Sequence, residues 1–161
     1  EREHDLGRRI RAAGRPREAA LHLERAVALS PGNVPYRVEL LNLLWDAGSD
    51  AAEDDRAVLL HRATAVSLAG VRRRPREADL HRLLGLAELR RVQWGGEDRL
   101  EFARRAFEAS LSLFPTYLRT LRELAETAGL QGDTESRRKH EATIERITGR
   151  AVNEPIPADQ L

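Results

Sequence analysis

The chain has 161 residues and a mass of 18.1 kDa, long enough for one domain to bury about 70% of the surface its unfolded chain exposes. Its 27 basic and 26 acidic residues nearly cancel, and the resulting pI near 8.6 falls short of the strong basicity of nucleic-acid-binding domains. The absence of cysteine excludes a disulfide framework, a thiolate nucleophile, a thiolate zinc site and an iron–sulfur cluster. No window resembles a membrane span or a secretory leader, and the chain contains no methionine, so it reads as a soluble segment of a longer protein. Every basic residue except Lys139 is arginine, a bias that points to a GC-rich, bacterial genome.

Apolar spacing predicts helices throughout, since β-branched and aromatic residues are few and strict alternation never persists. Leu6, Ile10 and Ala13 follow helical spacing up to Gly14-Arg15-Pro16; Ala19, Leu23, Ala26 and Val27 resume it before Ser30-Pro31-Gly32-Asn33. Pro16 suits a first helical turn, and Glu18 suits the helix dipole there. A second hairpin is expected from Leu40, Leu41, Leu44 and Trp45, a turn at Ala47-Gly48-Ser49-Asp50, and a helix from about Ala52 to Ala69 behind the acidic run Glu53-Asp54-Asp55. A basic connector, Gly70 to Arg74, then leads to Pro75 and a third hairpin. That hairpin carries Leu80, Leu83, Leu84, Leu86 and Leu89, a turn at Trp94-Gly95-Gly96-Glu97-Asp98, and Leu100, Ala103, Phe107, Leu111 and Phe114 before Pro115. The fourth runs from Leu118, Leu121, Leu124 and Ala125 through Gly129-Leu130-Gln131-Gly132-Asp133 to Ile144, Ile147 and Gly149. The units are about 1–33, 34–70, 75–115 and 116–149, with 150–161 an extended tail in which Pro155 and Pro157 oppose helix.

Helical pairs recurring every 34 or so residues mark a solenoid. In the first unit Leu6-Gly7, Ile10, Gly14, Ala19, Leu23, Ala26 and Pro31 stand at nearly every signature position, and the unit resembles a tetratricopeptide repeat. Gly7 and Ala19 let the paired helices approach, Ala26 admits the next unit, and Pro31 ends the second helix. The third unit fits with Leu84-Gly85, Ala103, Phe107, Ser110 and Pro115 once about six extra residues near Trp94 are allowed for. The second keeps Leu40, Leu44, Gly48, Leu60 and Ala63 but lacks a terminal proline. The fourth keeps Leu124-Ala125, Ala128 and Gly132, and its Arg137 and Glu141 replace apolar residues, as in a polar end cap. The segment Arg15-Pro16-Arg17-Glu18-Ala19 recurs as Arg74-Pro75-Arg76-Glu77-Ala78, which offers a competing register for the third unit; the Leu84-Gly85 register is preferred because the alternative puts Arg82 at a buried aromatic position. The resemblance covers about residues 3–148. It implies an all-α, right-handed α-solenoid of about four antiparallel helix pairs, and a non-catalytic protein-interaction role.

No catalytic constellation emerges. The serines lack a Gly-x-Ser-x-Gly elbow, no phosphate-binding glycine loop occurs, and His4, His22, His61, His81 and His140 never form a His-x-x-x-His pair. Neither cofactor nor metal is expected. The run Arg72-Arg73-Arg74 with Arg76 has no interleaved aromatic residue for base stacking, which argues against nucleic acid. By the resemblance, the first helix of each pair lines a concave face. The groove residues are then expected to be His4, Arg8 and Arg11; Val38, Asn42 and Trp45; Arg82, Leu86 and Leu89; and Arg119, Arg122 and Glu126. Such an arginine-rich groove with an apolar middle suits a peptide or protein segment bearing carboxylates or phosphates. Glu39 stands where the chaperone-tail clamp of some relatives requires asparagine, so that ligand is not implied. Trp45 fits either groove or core, and Trp94 fits either an exposed contact or a lid over a helix end. Two further expectations are self-association through an uncapped first repeat, and an alternative role as the C-terminal regulatory or substrate-presenting domain of a glycan-handling enzyme, an O-antigen ligase-like polymerase or a glycosyltransferase.

Overall fold

In a computed structural model, residues 2–49, 51–95 and 98–149 are described. The expected tail at 150–161 and part of the turn after Trp94 lie outside the described residues. The described residues form helices only: α1 (Arg2–Ala12), α2 (Pro16–Leu29), α3 (Val34–Ser49), α4 (Glu53–Arg73), α5 (Ala78–Gly95), α6 (Leu100–Leu113), α7 (Leu118–Leu130) and α8 (Thr134–Thr148). Each helix packs on its successor, and beyond that α3 meets α5 and α5 meets α7. The first helices of successive hairpins therefore approach one another along one side, which makes that side the inner face of the stack.

Close approach within hairpins depends on glycine. A Cβ on Gly7 would come within 3.1 Å of Leu23 Cγ, and one on Gly85 within 2.6 Å of Phe107 Cδ1. The Leu84-Gly85 register is thereby the one the third hairpin adopts, with Phe107 fully buried where the first hairpin places Leu23. Turns inside the first and last hairpins are alike: Gly14 and Gly132 have φ of 76° and 74°, and the amides of Arg15 and Asp133 reach back to the carbonyls of Ile10 and Ala128. A left-handed residue followed by this bond closes the last helical turn, and glycine adopts it without a Cβ penalty.

Turns between hairpins repeat even more closely. The residues ending α2, α4 and α6 are Ser30, Arg74 and Phe114, with φ,ψ of −132°,66°, −133°,74° and −140°,87°. Their amides donate to the carbonyls of Ala26, Gly70 and Ser110, and their own carbonyls accept from Asn33, Glu77 and Tyr117. Pro31, Pro75 and Pro115 follow at the same place in each turn.

Two sequence expectations change here. Gly70 is not a connector: α4 continues to Arg73. A Cβ on Gly70 would stand 3.1 Å from Leu80 and 3.2 Å from Arg37, so this glycine is there to let chains approach, and Arg72 and Arg73 complement the negative end of the helix dipole. The second unit does have its terminal proline, Pro75; its helices are longer than expected, and the likeness of residues 74–78 to 15–19 joins two non-equivalent turns, since Pro16 opens α2 inside a hairpin.

Two apolar cores follow. The larger joins Leu23, Leu40, Leu41, Leu44, Ala63, Leu80 and Leu83 across the first three hairpins. The smaller joins Leu89, Ala103, Phe107 and Leu124. The last hairpin turns a polar face outward: Arg137 Nε donates to Glu141 at 2.8 Å one helical turn along α8. Among the described residues no helix is long and apolar enough to cross a membrane.

Candidate functional site

On the inner face, α1, α3 and the start of α5 enclose an open cleft of about 800 Å³. Five residues expected in the groove line it together, namely His4, Arg8, Arg11, Val38 and Asn42. The α1 trio falls on one face because its spacing of four and three matches a helical turn. Tyr36, Glu39, Glu77 and Asp79 complete the walls and were absent from the expected set.

The basic wall is tied to the acidic one. His4 Nε2 meets Glu39 Oε2 at 2.5 Å, while its ring stacks on Tyr36 with centroids 4.3 Å apart. Arg8 Nε lies 3.5 Å from the other Glu39 oxygen, and Arg11 bonds Asp46 at 2.5 Å. The Arg8 side chain remains 65% exposed, so an incoming carboxylate can reach it without first breaking a buried pair. Glu39, at the clamp asparagine position, therefore holds α1 against α3. The groove is charged in both senses, not simply arginine-rich.

Toward α7 the inner face closes. Arg82 is 9% exposed and its Nη1 donates to Glu123 Oε1 at 2.7 Å. The Arg82 guanidinium lies 5.8 Å from the Tyr117 ring centre, and the Tyr117 hydroxyl donates to Asp79. Burial pushes the Glu123 carboxyl up to about 7, against the pull of Arg82. Burial opposes the charge of Arg82, but Glu123 and Tyr117 keep its pKa raised. Tyr117 is raised as well, by burial and by its bond to Asp79. Arg82 is thus a buried strut between α5 and α7, unlike the exposed groove arginine expected from sequence.

The other expected residues separate. Leu89 is 1% exposed in the second core, and Leu86 packs against that core; the face of α5 they share turns toward α6, whose Phe107 fills it. Trp45 packs partly buried on the first core, its indole nitrogen without a hydrogen-bond partner. Arg119 is exposed on α7. Arg122 and Glu126 border a second hollow of about 450 Å³ between α7 and α8, floored by Ala125, Leu130 and Ile144. Glu126 also accepts from Gln93 at 2.7 Å. Trp94 covers the end of α3: a Cβ on Gly48 would lie 3.3 Å from its ring, and Arg56 and Arg90 approach that ring at 5.8 and 5.1 Å. Arg56 in turn donates to the carbonyls of Gly48 and Ala51, at and just beyond a helix end where carbonyls lack intrahelical partners.

No family model matches the chain, and no curated protein matches it. Solved structures do. A crystal structure of MamA superposes with a TM-score of 0.71 at 17% identity, over 89% of this chain and 75% of that one. MamA 41-end from Desulfovibrio magneticus RS-1 gives 0.68 at 18% identity, over 90% and 73%. TTC0263, a thermophilic TPR protein in Thermus thermophilus, gives 0.67 at 19% identity, over 92% and 91%. With the repeated proline turns and glycine contacts, these superpositions establish the architecture: the chain is an all-α solenoid with the tetratricopeptide-repeat fold.

Proposed function

We propose that the chain is a non-catalytic protein-interaction module that takes an extended peptide or protein segment in the cleft between α1, α3 and α5. The observation that carries this reading is that side chains from three successive hairpins converge on one open cleft of about 800 Å³. Val38 offers apolar contact, the exposed Asn42 amide can both donate to and accept from a ligand backbone, and Arg8 and Arg11 can fork onto a ligand carboxylate in competition with Glu39 and Asp46. Arg82 and Arg122 stand outside this cleft, so the reading rests on Arg8 and Arg11 for its basic contacts.

A photo-crosslinking residue placed at Asn42, with a matched one at Leu21 on the outer side, tests it. A protein or peptide that crosslinks from Asn42 and is lost when Val38→Glu is added supports the cleft. Crosslinking from Leu21 alone, or crosslinking from Asn42 that survives Val38→Glu and Arg8→Ala, overturns it.

A further inference from the structure

Most arginines of this chain are spoken for, and those that are not are densest in one run. Arg17 bonds Asp55, Arg62 bonds Glu24, Arg99 bonds Glu88, and Arg104 bonds both Glu101 and Glu108. By contrast, Arg72, Arg73, Arg74 and Arg76 make no ion pair and no side-chain hydrogen bond among the described residues, and all four are exposed. They crowd the turn between α4 and α5. A fifth guanidinium lies beneath them: Arg37 is 6% exposed and is held by the carbonyls of Pro31 and Val66, with no carboxylate partner. The Arg74 guanidinium reaches the neighbouring turn, where a Cβ on Gly32 would come within 3.4 Å of Nη2.

One or two cations suffice to complement a helix C-terminus. Four within five residues, above a buried fifth, repel one another and raise a positive potential at one edge of a molecule whose formal net charge is only +1. Glu77, next in sequence to Arg76, offsets at most one of these charges and forms no ion pair with them among the described residues, and the carboxylates of α3 pair with α1.

We infer that the Arg72–Arg76 turn is a second docking surface, outside the cleft, for an acidic segment of a partner protein. Guanidinium forks match carboxylates in pairs of parallel hydrogen bonds, and a run of aspartates or glutamates supplies them at comparable spacing. No aromatic side chain lies among the four arginines to stack nucleic-acid bases, and no exposed aromatic or long apolar residue interleaves them to enter a lipid surface. A protein segment is the occupant that these two absences favour.

The test uses the whole chain and fluorescein-labelled hexaglutamate, read by fluorescence anisotropy at low salt. A variant with Arg72, Arg73, Arg74 and Arg76 all changed to Gln is compared with one carrying Arg→Gln at Arg9, Arg25, Arg138 and Arg146, exposed arginines elsewhere whose loss removes equal charge. Circular dichroism confirms that both fold. The expected result is a loss of about tenfold or more in the first and less than about threefold in the second, with affinity falling as salt rises. Equal losses in the two, or no binding to the parent chain, overturn the surface. Tighter binding through these arginines of a thymidine dodecamer, or of vesicles rich in phosphatidylglycerol, overturns the partner class. Because Val38→Glu leaves this turn intact, hexaglutamate binding that survives it separates this surface from the cleft.

Discussion

Gly85 and Phe107 share a space that holds only one of their side chains: a methyl group on Gly85 would stand 2.6 Å from both Cδ1 and Cε1 of the fully buried ring. The ring cannot retreat, because Leu89, Ala103 and Leu124 surround it. Gly85→Ala is therefore expected to lower stability by about 2 kcal/mol even though alanine is the better helix former. Urea denaturation of the variant checks this, and an unchanged midpoint would contradict the packing. Gly7→Ala, facing Leu23 at 3.1 Å, is expected to cost less.

Glu123 makes stability depend on pH. Its carboxyl is raised from the ordinary value of 4.5 to about 7, so the folded chain holds a proton there that the unfolded chain has released. Below pH 4.5 both states are protonated and nothing is lost; between pH 4.5 and 7 stability falls as pH rises. The full shift is worth on the order of 3 kcal/mol as an upper bound. Chemical denaturation at several pH values across this window should show the decline, and Glu123→Gln, which cannot titrate, should flatten it. A decline that persists in the variant would assign it to another group.

Arg37 is a buried cation whose donors go to Pro31 and Val66 carbonyls, which ties the first inter-hairpin turn to α4. Burial and the nearby Arg73 lower its pKa, yet arginine stays charged. Arg37→Ala takes this donor from the Pro31 carbonyl, leaves the Val66 carbonyl with only its bond inside α4, and opens space beside Gly70, at an expected cost of about 2 kcal/mol. Arg37→Lys should recover only part, since one ammonium cannot span both carbonyls in the geometry of a planar fork. Thermal melts of the two variants decide it, and equal melting of Lys and Ala variants would show that the fork geometry is irrelevant.

Trp94 offers an optical readout. Its ring lies over Gly48 between Arg56 and Arg90, and replacing it with alanine should loosen the α3–α4 turn at a cost of about 1 to 3 kcal/mol. Hydrogen exchange should then quicken at the last turn of α3 and leave α7 unchanged.

The local rules of helix start, stop and spacing made the eight helices readable, because those depend on residues within a few positions of each other, while the contacts of Gly7 with Leu23 and Gly85 with Phe107 were readable only through the repeat signature. The inner-face chemistry was not readable the same way. His4 and Glu39, like Arg11 and Asp46, are 35 residues apart, and Arg82 and Glu123 are 41 apart. These separations are close to one repeat, so opposite charges pair between equivalent helices of neighbouring hairpins. A search for complementary charge one repeat away would have found Glu39 and Glu123; one restricted to a single helix turn could not. Pro75 was counted with the third hairpin and not as the end of the second unit, because its pentapeptide matches Pro16 by identity, whereas its turn matches those of Pro31 and Pro115 by geometry.

The three inter-hairpin turns share one conformation although the hairpins they connect differ in length, with α4 running to 21 residues and α2 to 14. Among the described residues the difference in length is thus taken up away from these joints, toward the hairpin tips. Those tips are ports: a tag, a fluorophore loop or an extra binding element spliced there would extend the molecule sideways while the spacing and angle of its joints, and so the curve of its inner wall, stayed as they are.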